Sequence, residues 1–235
     1  EKGEEVAKIM SKYDLEAIPV VDEIGRLVGR ITIDDIVDVI REEADKDYQM
    51  AAGISQDVEV SDSIWILTRA RIPWLILGLF GGLGAAAIMG TFEDMISKHA
   101  VLFFFTPLIA AMAGNVGVQS SAIVVQGLAN DDLKGSVRNH LLKEMLLALL
   151  NGFILAILLL LFTWIWKGDF ATALAISLSL IVVIVVAGFI GTFIPLFLHK
   201  RNIDPAIATG PFITTSNDIF GILIYFWIAK MILGI

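Results

Sequence analysis

The sequence predicts an all-α polytopic membrane domain of five transmembrane helices, preceded by a partial α/β domain and a connecting helix. Composition is the first indication: 57% of the residues are hydrophobic and the mean hydropathy is +0.79, more apolar than an ordinary soluble domain. Charge is the second: residues 1–68 carry 17 acidic and 7 basic side chains, and residues 69–235 carry 8 and 10. We therefore expect a small α/β domain at 1–44, a connecting helix at 45–71 and a membrane domain at 72–235.

Five apolar segments are each long enough to cross a bilayer, whose hydrocarbon core needs about 20 residues of helix. The remaining protein is too small to bury five such helices in a soluble core. The segments also lack the two-residue alternation of membrane β-strands. Only the last segment contains a charged side chain, Asp218. The predicted spans are residues 72–92, 100–130, 145–166, 170–198 and 205–229.

Lysine and arginine in the short loops predict the orientation, because positively charged loops stay in the cytoplasm. One side holds Lys98 and Lys167, with Lys230 near the end of the fifth span. The pattern predicts a multi-pass protein of the cell (inner) membrane, with a cytosolic N-terminal part and an external C-terminus. The other side, next to the acidic segment, holds seven bases: Arg69, Arg71, Lys134, Arg138, Lys143, Lys200 and Arg201.

Several features exclude other classes of protein. The chain contains no cysteine, which rules out disulfides, thiolate zinc sites and iron–sulfur ligation. His99, His140 and His199 lie in or beside different loops, and neither an HExxH pair nor a nucleophile elbow is present. We therefore expect neither an enzymatic activity nor a nucleic-acid partner. Because the N-terminus has no initiating Met and no signal peptide, we expect a further portion to precede it.

Two polar side chains fall at the same depth of the predicted bilayer. Asp218 lies 13 residues into the fifth span, roughly 20 Å at 1.5 Å per residue, and Asn115 is the midpoint of the second. A charge at this depth costs about 2.5–3.5 kcal/mol, so such a residue usually faces an ion pathway or a partner. The alternative is a protonated or hydrogen-bonded Asp218 that only joins helices.

The neighbours of both side chains favour a cation pathway. Pro107 and Pro211 are expected to free backbone carbonyls, which at membrane depth must face protein or water. Carbonyl, amide, hydroxyl and carboxylate oxygens suit hard cations. One carboxylate per chain suits a Mg²⁺ that keeps its water, particularly if a two-fold axis pairs two copies of Asp218. Small and polar residues at helical spacing form one face of each span: Ala111, Asn115, Gln119 and Ala122, and Pro211, Thr214, Thr215, Asp218 and Gly221.

The acidic N-terminal part reads as helix, strand, turn, strand and helix. Short apolar runs at 17–21 and 27–31 flank Gly25, and Thr32 or Asp34 is expected to cap the following helix. A further helix at 61–71, capped at Ser61 or Asp62, is expected to lead into the first span. The acids of the capped helix form either a solvated face or a divalent-ion sensor: Asp34, Asp35, Asp38, Glu42, Glu43, Asp45 and Asp47.

Together these features resemble the MgtE family of magnesium channels. The pattern "GRITIDD" at 29–35 is similar to the end of a CBS domain, and residues 45–71 resemble the family's connecting, or plug, helix. The membrane part resembles the family along its whole length. The most specific motifs are "PLIAAMAGNVGVQSSAIVVQGLA" at 107–129, "KEMLLALLNG" at 143–152 and "IDPAIATGPFITTSND" at 203–218.

The resemblance implies a homodimer with a pore on its axis. Asp218 would be the main pore carboxylate for hydrated Mg²⁺, with Asn115 and Gly210 lining the pore beside Gln119 and Thr214 from the polar faces. Asp204 would contact Mg²⁺ near the cytosolic mouth. Thr32 and Asp35 fit the CBS pattern that holds a nucleotide such as ATP. The implied Mg²⁺ sensor residues are Glu4, Asp14, Asp35, Asp38, Glu43 and Asp47.

The function expected is therefore a Mg²⁺-selective channel or transporter that imports magnesium and is gated by cytosolic Mg²⁺ on the acidic region. Mg²⁺ would be both the transported and the regulatory ion. The alternative is a proton- or sodium-coupled carrier of divalent cations with Asp218 as a relay. Against the carrier, the predicted spans contain only this one ionisable group.

Overall fold

The computed structural model describes residues 3–130, 136–208 and 210–234, without the side chains of Glu4 and Ala208. The chain forms two compact units, Glu1–Met50 and Ala51–Ile235. The first is α/β and the second is helical. The expected fold class, a five-span helical membrane domain preceded by a partial α/β domain, is confirmed.

The N-terminal unit contains α1 (Gly3–Tyr13), β1 (Ala17–Val21), β2 (Leu27–Thr32) and α2 (Ile33–Ala51). The two strands pair antiparallel. The hairpin turn depends on Gly25, whose φ of 79° favours glycine. Helix α1 packs on the hairpin and α2 through a small apolar core of Ala7, Met10 and Ile36, with Val6, Ile18 and Ile31 at its edge.

Two acids of this unit have local structural roles. Asp14 adopts a left-handed backbone (φ 52°) just after α1, and the next amide, Leu15 N, donates to the Met10 carbonyl at 3.0 Å. This is the Schellman arrangement that ends a helix.

At the start of α2, Asp35 Oδ2 accepts from Thr32 N at 2.9 Å and Thr32 Oγ1 at 2.8 Å, as in a capping box. These bonds hold the pKa of the Asp35 carboxyl below its usual value.

The second unit contains five long apolar helices, each able to span a bilayer by length and composition. A short helix, α4 (Glu93–Lys98), follows the first of them, and a 3₁₀ turn (Pro205–Ala208) precedes the last. The five predicted spans are therefore confirmed, with shifted ends. The long helices are α3 (Ile64–Thr91), α5 (Ala100–Ala129), α6 (Val137–Lys167), α7 (Phe170–Lys200) and α8 (Gly210–Leu233).

The connection between the units differs from the expected helix at 45–71. Helix α2 ends at Ala51 and α3 begins at Ile64, with non-helical residues between them. Gly53 has a φ of 79°, a backbone conformation that does not continue a helix. Ser63, not Ser61 or Asp62, caps α3 through Ile66 N. From there α3 runs without interruption into the first span.

Helix α7 is the centre of the membrane unit. It packs against α5, α6 and α8, whereas α3 packs mainly along α8. Two polar groups in this core have partners: Tyr225 Oη of α8 donates to the Leu102 carbonyl of α5 at 2.9 Å. Ser179 Oγ lies 2.7 Å from the Ala175 carbonyl of its own helix and 3.4 Å from the Tyr225 carbonyl of α8. The apolar core brings α5 and α8 together over much of their length.

The two prolines singled out from the sequence occupy different positions in their helices. Pro107 lies inside α5, as its proposed role in freeing a carbonyl requires. Pro211 is in the first turn of α8, where the missing N–H has no intrahelical partner in any case. The expectation of a freed carbonyl at Pro211 is therefore wrong.

Asp169 offers a test of how α7 begins. Its carboxylate accepts from Ala171 N at 3.0 Å and from Thr172 Oγ1 at 2.5 Å, and the bond from Thr172 holds the pKa of Asp169 below its ordinary 3.8. Asp169→Ala should lower the free energy of unfolding by about 1 kcal/mol at neutral pH, measured as a lower thermal midpoint in detergent.

Because the folded pKa is depressed, the ionic part of this cap is present above pH 3.8 and is lost as the pH falls through the folded value. Asp169→Asn is the matched control, since it keeps an acceptor but does not titrate. The difference in thermal midpoint between the wild type and Asp169→Asn should be larger at pH 6 than at pH 3. An equal difference in midpoint at both pH values would contradict the assigned cap.

Candidate functional site

A cavity of about 480 Å³ lies between α5 and α8 in the membrane unit. It brings together the four polar residues singled out from the sequence as pore-lining or ion-binding in the two spans, and also Ala111 from the same face. Asn115 and Gln119 come from α5, and Thr214 and Asp218 from α8. The rest of the lining is small or apolar: Ala110, Ala111, Gly114 and Val118.

Asp218 is half-buried beside this cavity. Within residues 3–130, 136–208 and 210–234, its carboxylate has no hydrogen bond or ion pair. A Cβ added at Gly114 would lie 3.8 Å from Asp218 Oδ1 and 3.2 Å from Thr214 Cγ2. Glycine at 114 therefore lets the α5 backbone approach α8 at the carboxylate. The sequence also allowed an Asp218 that only joins helices through a hydrogen bond. In the described residues the carboxylate makes no such bond.

The cavity is open on one side in the single chain. Asn115 and Gln119 are exposed, as are Ala111 and Ala122 on the same face of α5. The cavity offers carboxylate, amide and hydroxyl groups. The Thr214 hydroxyl donates to the Gly210 carbonyl at 3.0 Å, which leaves its oxygen able to accept. This oxygen-rich set can bind a hard cation or its water shell.

A second cavity, of about 750 Å³, lies between α3, the start of α8 and residues 51–54. Gly210, predicted to line the pore with Asp218, lies here, and Thr214 borders both cavities. Gly210 (φ 44°) has no room for a Cβ against the Ala51 carbonyl, and Gly53 likewise has none against Pro211. The segment after α2 therefore fits closely on the first turn of α8.

Asp204 is exposed and does not line either cavity. Its Oδ1 accepts from Ala206 N at 2.9 Å, so in this chain it caps the 3₁₀ turn that leads to α8. A contact between Asp204 and Mg²⁺ stays a prediction.

The predicted sensor acids do not form one cluster in the described chain. Asp38 is exposed on α2, and Glu43 pairs with Lys46 at 3.4 Å. Asp47 has an interaction of its own. The side chain of Glu4 and the loop base Lys134 lie outside the described residues. Among the residues that the structure describes, no group of three His, Asp or Glu side chains could hold a metal ion.

One carboxylate that bonds to a neighbouring helix was missed in the sequence. Helix α6 begins at Val137, not near 145, so Glu144 lies about two turns inside it. Ser120 Oγ of α5 donates to Glu144 Oε1 at 2.5 Å, and Gly188 of α7 leaves space for the side chain. Glu144 lies one residue before the third predicted span, 145–166, so the prediction that Asp218 is the one ionisable group within the predicted spans stays a prediction. The sequence feature that could have indicated Glu144 is the acid in "KEMLLALLNG", directly before an apolar run.

Five helices that are each able to span a bilayer, with a polar cavity between two of them, define a polytopic membrane protein with the features of a transporter. A family model described as MgtE, divalent cation transporter, matches residues 106–228, and a CBS domain model matches residues 3–42. The chain belongs to the MgtE family, as its motifs indicated.

Three similar proteins are each named magnesium transporter MgtE. The relative from Bacillus subtilis (strain 168) is 40% identical over 96% of this chain and 50% of its own length. The relative from Enterococcus faecalis is 38% identical over 97% of this chain and 50% of its own length. The relative from Thermus thermophilus is 34% identical over 98% of this chain and 52% of its own length. The chain thus spans about half the length of the curated relatives it matches.

Proposed function

We propose that the protein transports Mg²⁺ across the membrane as a homodimer, through a pathway that contains the α5–α8 cavity. The observation that carries the proposal is the meeting of Asp218, Asn115, Gln119 and Thr214 around one mid-membrane space. The names of the relatives support magnesium as the ion. A transporter needs no chemical step, and we propose no enzymatic activity.

The size and charge of the site favour a hydrated ion over a stripped one. Mg²⁺ binds six ligands and loses water reluctantly, and six waters occupy roughly 180 Å³ at about 30 Å³ each. The cavity of about 480 Å³ is large enough for that shell. A single carboxylate with neutral oxygens would hold the shell through its waters. Such outer-shell contact binds weakly enough for the ion to leave.

The open side of the cavity supports the dimer. A second copy on this face would cover Asn115 and Gln119, which are exposed in the single chain. Two Asp218 carboxylates would then face one ion across the axis. The cytosolic N-terminal part and the external C-terminus follow from the basic loops and remain part of the proposal.

Gating by cytosolic Mg²⁺ is a further part of the proposal. The close fit of residues 51–54 on Gly210 and Pro211 supports it, because a movement passed down α2 would reach the first turn of the pore helix. Since one described chain gathers no cluster of three acids, the regulatory ions would bridge carboxylates of different domains or copies. Asp35 and Thr32 already bind each other, and ATP binding there stays a prediction.

A coupled carrier is the second candidate function. Glu144 favours it, because a proton relay usually needs a further ionisable group inside the membrane, and Glu144 is held between helices. Mg²⁺ flux that follows an imposed pH or sodium gradient would support the carrier. Flux that depends only on the Mg²⁺ gradient and the membrane potential would support the channel.

Replacement of the pore carboxylate is the direct test of the site. Asp218→Ala should abolish Mg²⁺ uptake in a transport-deficient strain, because the remaining neutral groups cannot offset the cation's charge. Glu93→Ala, an exposed acid on α4, is the control and should transport normally. Normal uptake by Asp218→Ala at equal membrane expression would contradict the proposed pathway.

The sensor is tested by flux at high cytosolic Mg²⁺. Asp38→Ala is the cleaner variant, because Asp35 also caps α2. Asp38→Ala, and more strongly Asp35→Ala with Asp38→Ala, should leave the pathway conducting at Mg²⁺ concentrations that close the wild type in patch recordings. Glu23→Ala, in the hairpin turn, is the control. If the double variant closes at the same Mg²⁺ concentration as the wild type, the acids of α2 form a solvated face and not a sensor.

A further inference from the structure

The residue before the pore carboxylate is a buried amide without a partner. Asn217 is 1% exposed and lies about two turns from the start of α8. Neither its Nδ2 nor its Oδ1 has a hydrogen bond in the part of the chain that the structure describes. Burying an amide in this way costs about 1–3 kcal/mol by mutational measures. The neighbouring polar groups of Tyr225 and Ser179 both have partners. Asn217 is therefore not explained by a stabilising hydrogen bond.

The contact that Asn217 does make is with a glycine of α5. A Cβ at Gly117 would overlap the amide nitrogen of Asn217 and lie 2.8 Å from Ile213 Cγ2. On its other side, the backbone of Gly117 touches Gly191 of α7, which also has no room for a Cβ. Helices α5, α7 and α8 thus meet at Gly117, and α5 cannot yield there without disturbing α7.

This contact determines which way the next residue points. Successive side chains of an α-helix project about 100° apart, because a turn holds 3.6 residues. With Asn217 held against Gly117, the side chain of Asp218 lies one step round the helix, beside Gly114 and the cavity. A rotation of α8 that removed Asn217 from Gly117 would also turn Asp218 away from Asn115.

We propose that Asn217 is a positioning residue for Asp218: its contact with Gly117 fixes the rotation of α8 and directs the carboxylate into the cavity. The amide is kept at some expense of stability, as polar groups at functional sites often are. The inference rests on the proposed function only in taking Asp218 as the group that meets the ion.

The 235 residues contain no cysteine, which allows a test that does not depend on transport, once any cysteine elsewhere in the full-length protein is replaced by serine. In the full-length protein, a membrane-impermeant thiol reagent should label Asp218→Cys but not Asn217→Cys. Adding Gly117→Ala should slow labelling of Asp218→Cys at least fivefold, because the new methyl displaces Asn217. Replacing Asn217 by Ala as well removes the amide that the methyl would overlap, leaves only the end of the Ile213 side chain to shift, and should restore the rate to within twofold. Gly82→Ala, where a Cβ meets nothing within 4 Å, should have no effect.

Transport and stability give the second readout. Asn217→Leu should raise the half-saturating Mg²⁺ concentration at least fivefold with a smaller change in maximal flux, and should keep or raise the thermal midpoint. A lower thermal midpoint with an unchanged half-saturating Mg²⁺ concentration would show that Asn217 has only a structural role and would overturn the proposal. So would unaltered labelling in the Gly117→Ala background, or no labelling of Asp218→Cys at all. If the wild type carries no Mg²⁺, the proposed function fails, and the labelling rates still decide the positioning role.

Discussion

The carboxylate of Asp218, which the sequence predicts at mid-membrane depth, is the constraint on which the rest of this structure depends. Asp218 cannot remain charged against acyl chains without a large cost, so it must meet water, a cation or a partner group. The fold places it beside a cavity, and within the described residues its carboxylate has no hydrogen-bond or ion-pair partner. Gly114 and Gly117 bring α5 close enough to α8 to form that cavity. The central helix α7 then supports both from behind.

Helix α8, which carries Asp218, also makes close contacts with the segment that follows α2. The first turn of α8 contains Gly210 and Pro211, and the segment after α2 fits on both without space for a further methyl group. Helix α8 therefore has two close contacts, one at its first turn and one at Asn217, about two turns from its start. Under the proposed gating, a movement at the first contact would be passed along α8 to Asp218.

The sequence was sufficient for features that depend on composition and helical spacing. Apolar length alone gave the five spans, and counting residues from their ends put Asn115 and Asp218 at one depth. Other features depend on tertiary contacts or on single backbone angles. The left-handed conformation at Gly53 ends the expected connecting helix, and Glu144 is hidden at the edge of an apolar run. The position of Asn217 against Gly117 requires knowing which faces of α5 and α8 meet.

The most direct measurement is a density map of the full-length protein in a lipid bilayer, determined with and without Mg²⁺. The account predicts two chains with their Asp218 carboxylates facing one ion, about 4 Å from it and separated from it by water, since direct Mg²⁺–oxygen bonds are near 2.1 Å. That density should disappear when Mg²⁺ is removed. Asp218 turned toward lipid, or a cavity with no ion at saturating Mg²⁺, would contradict the account.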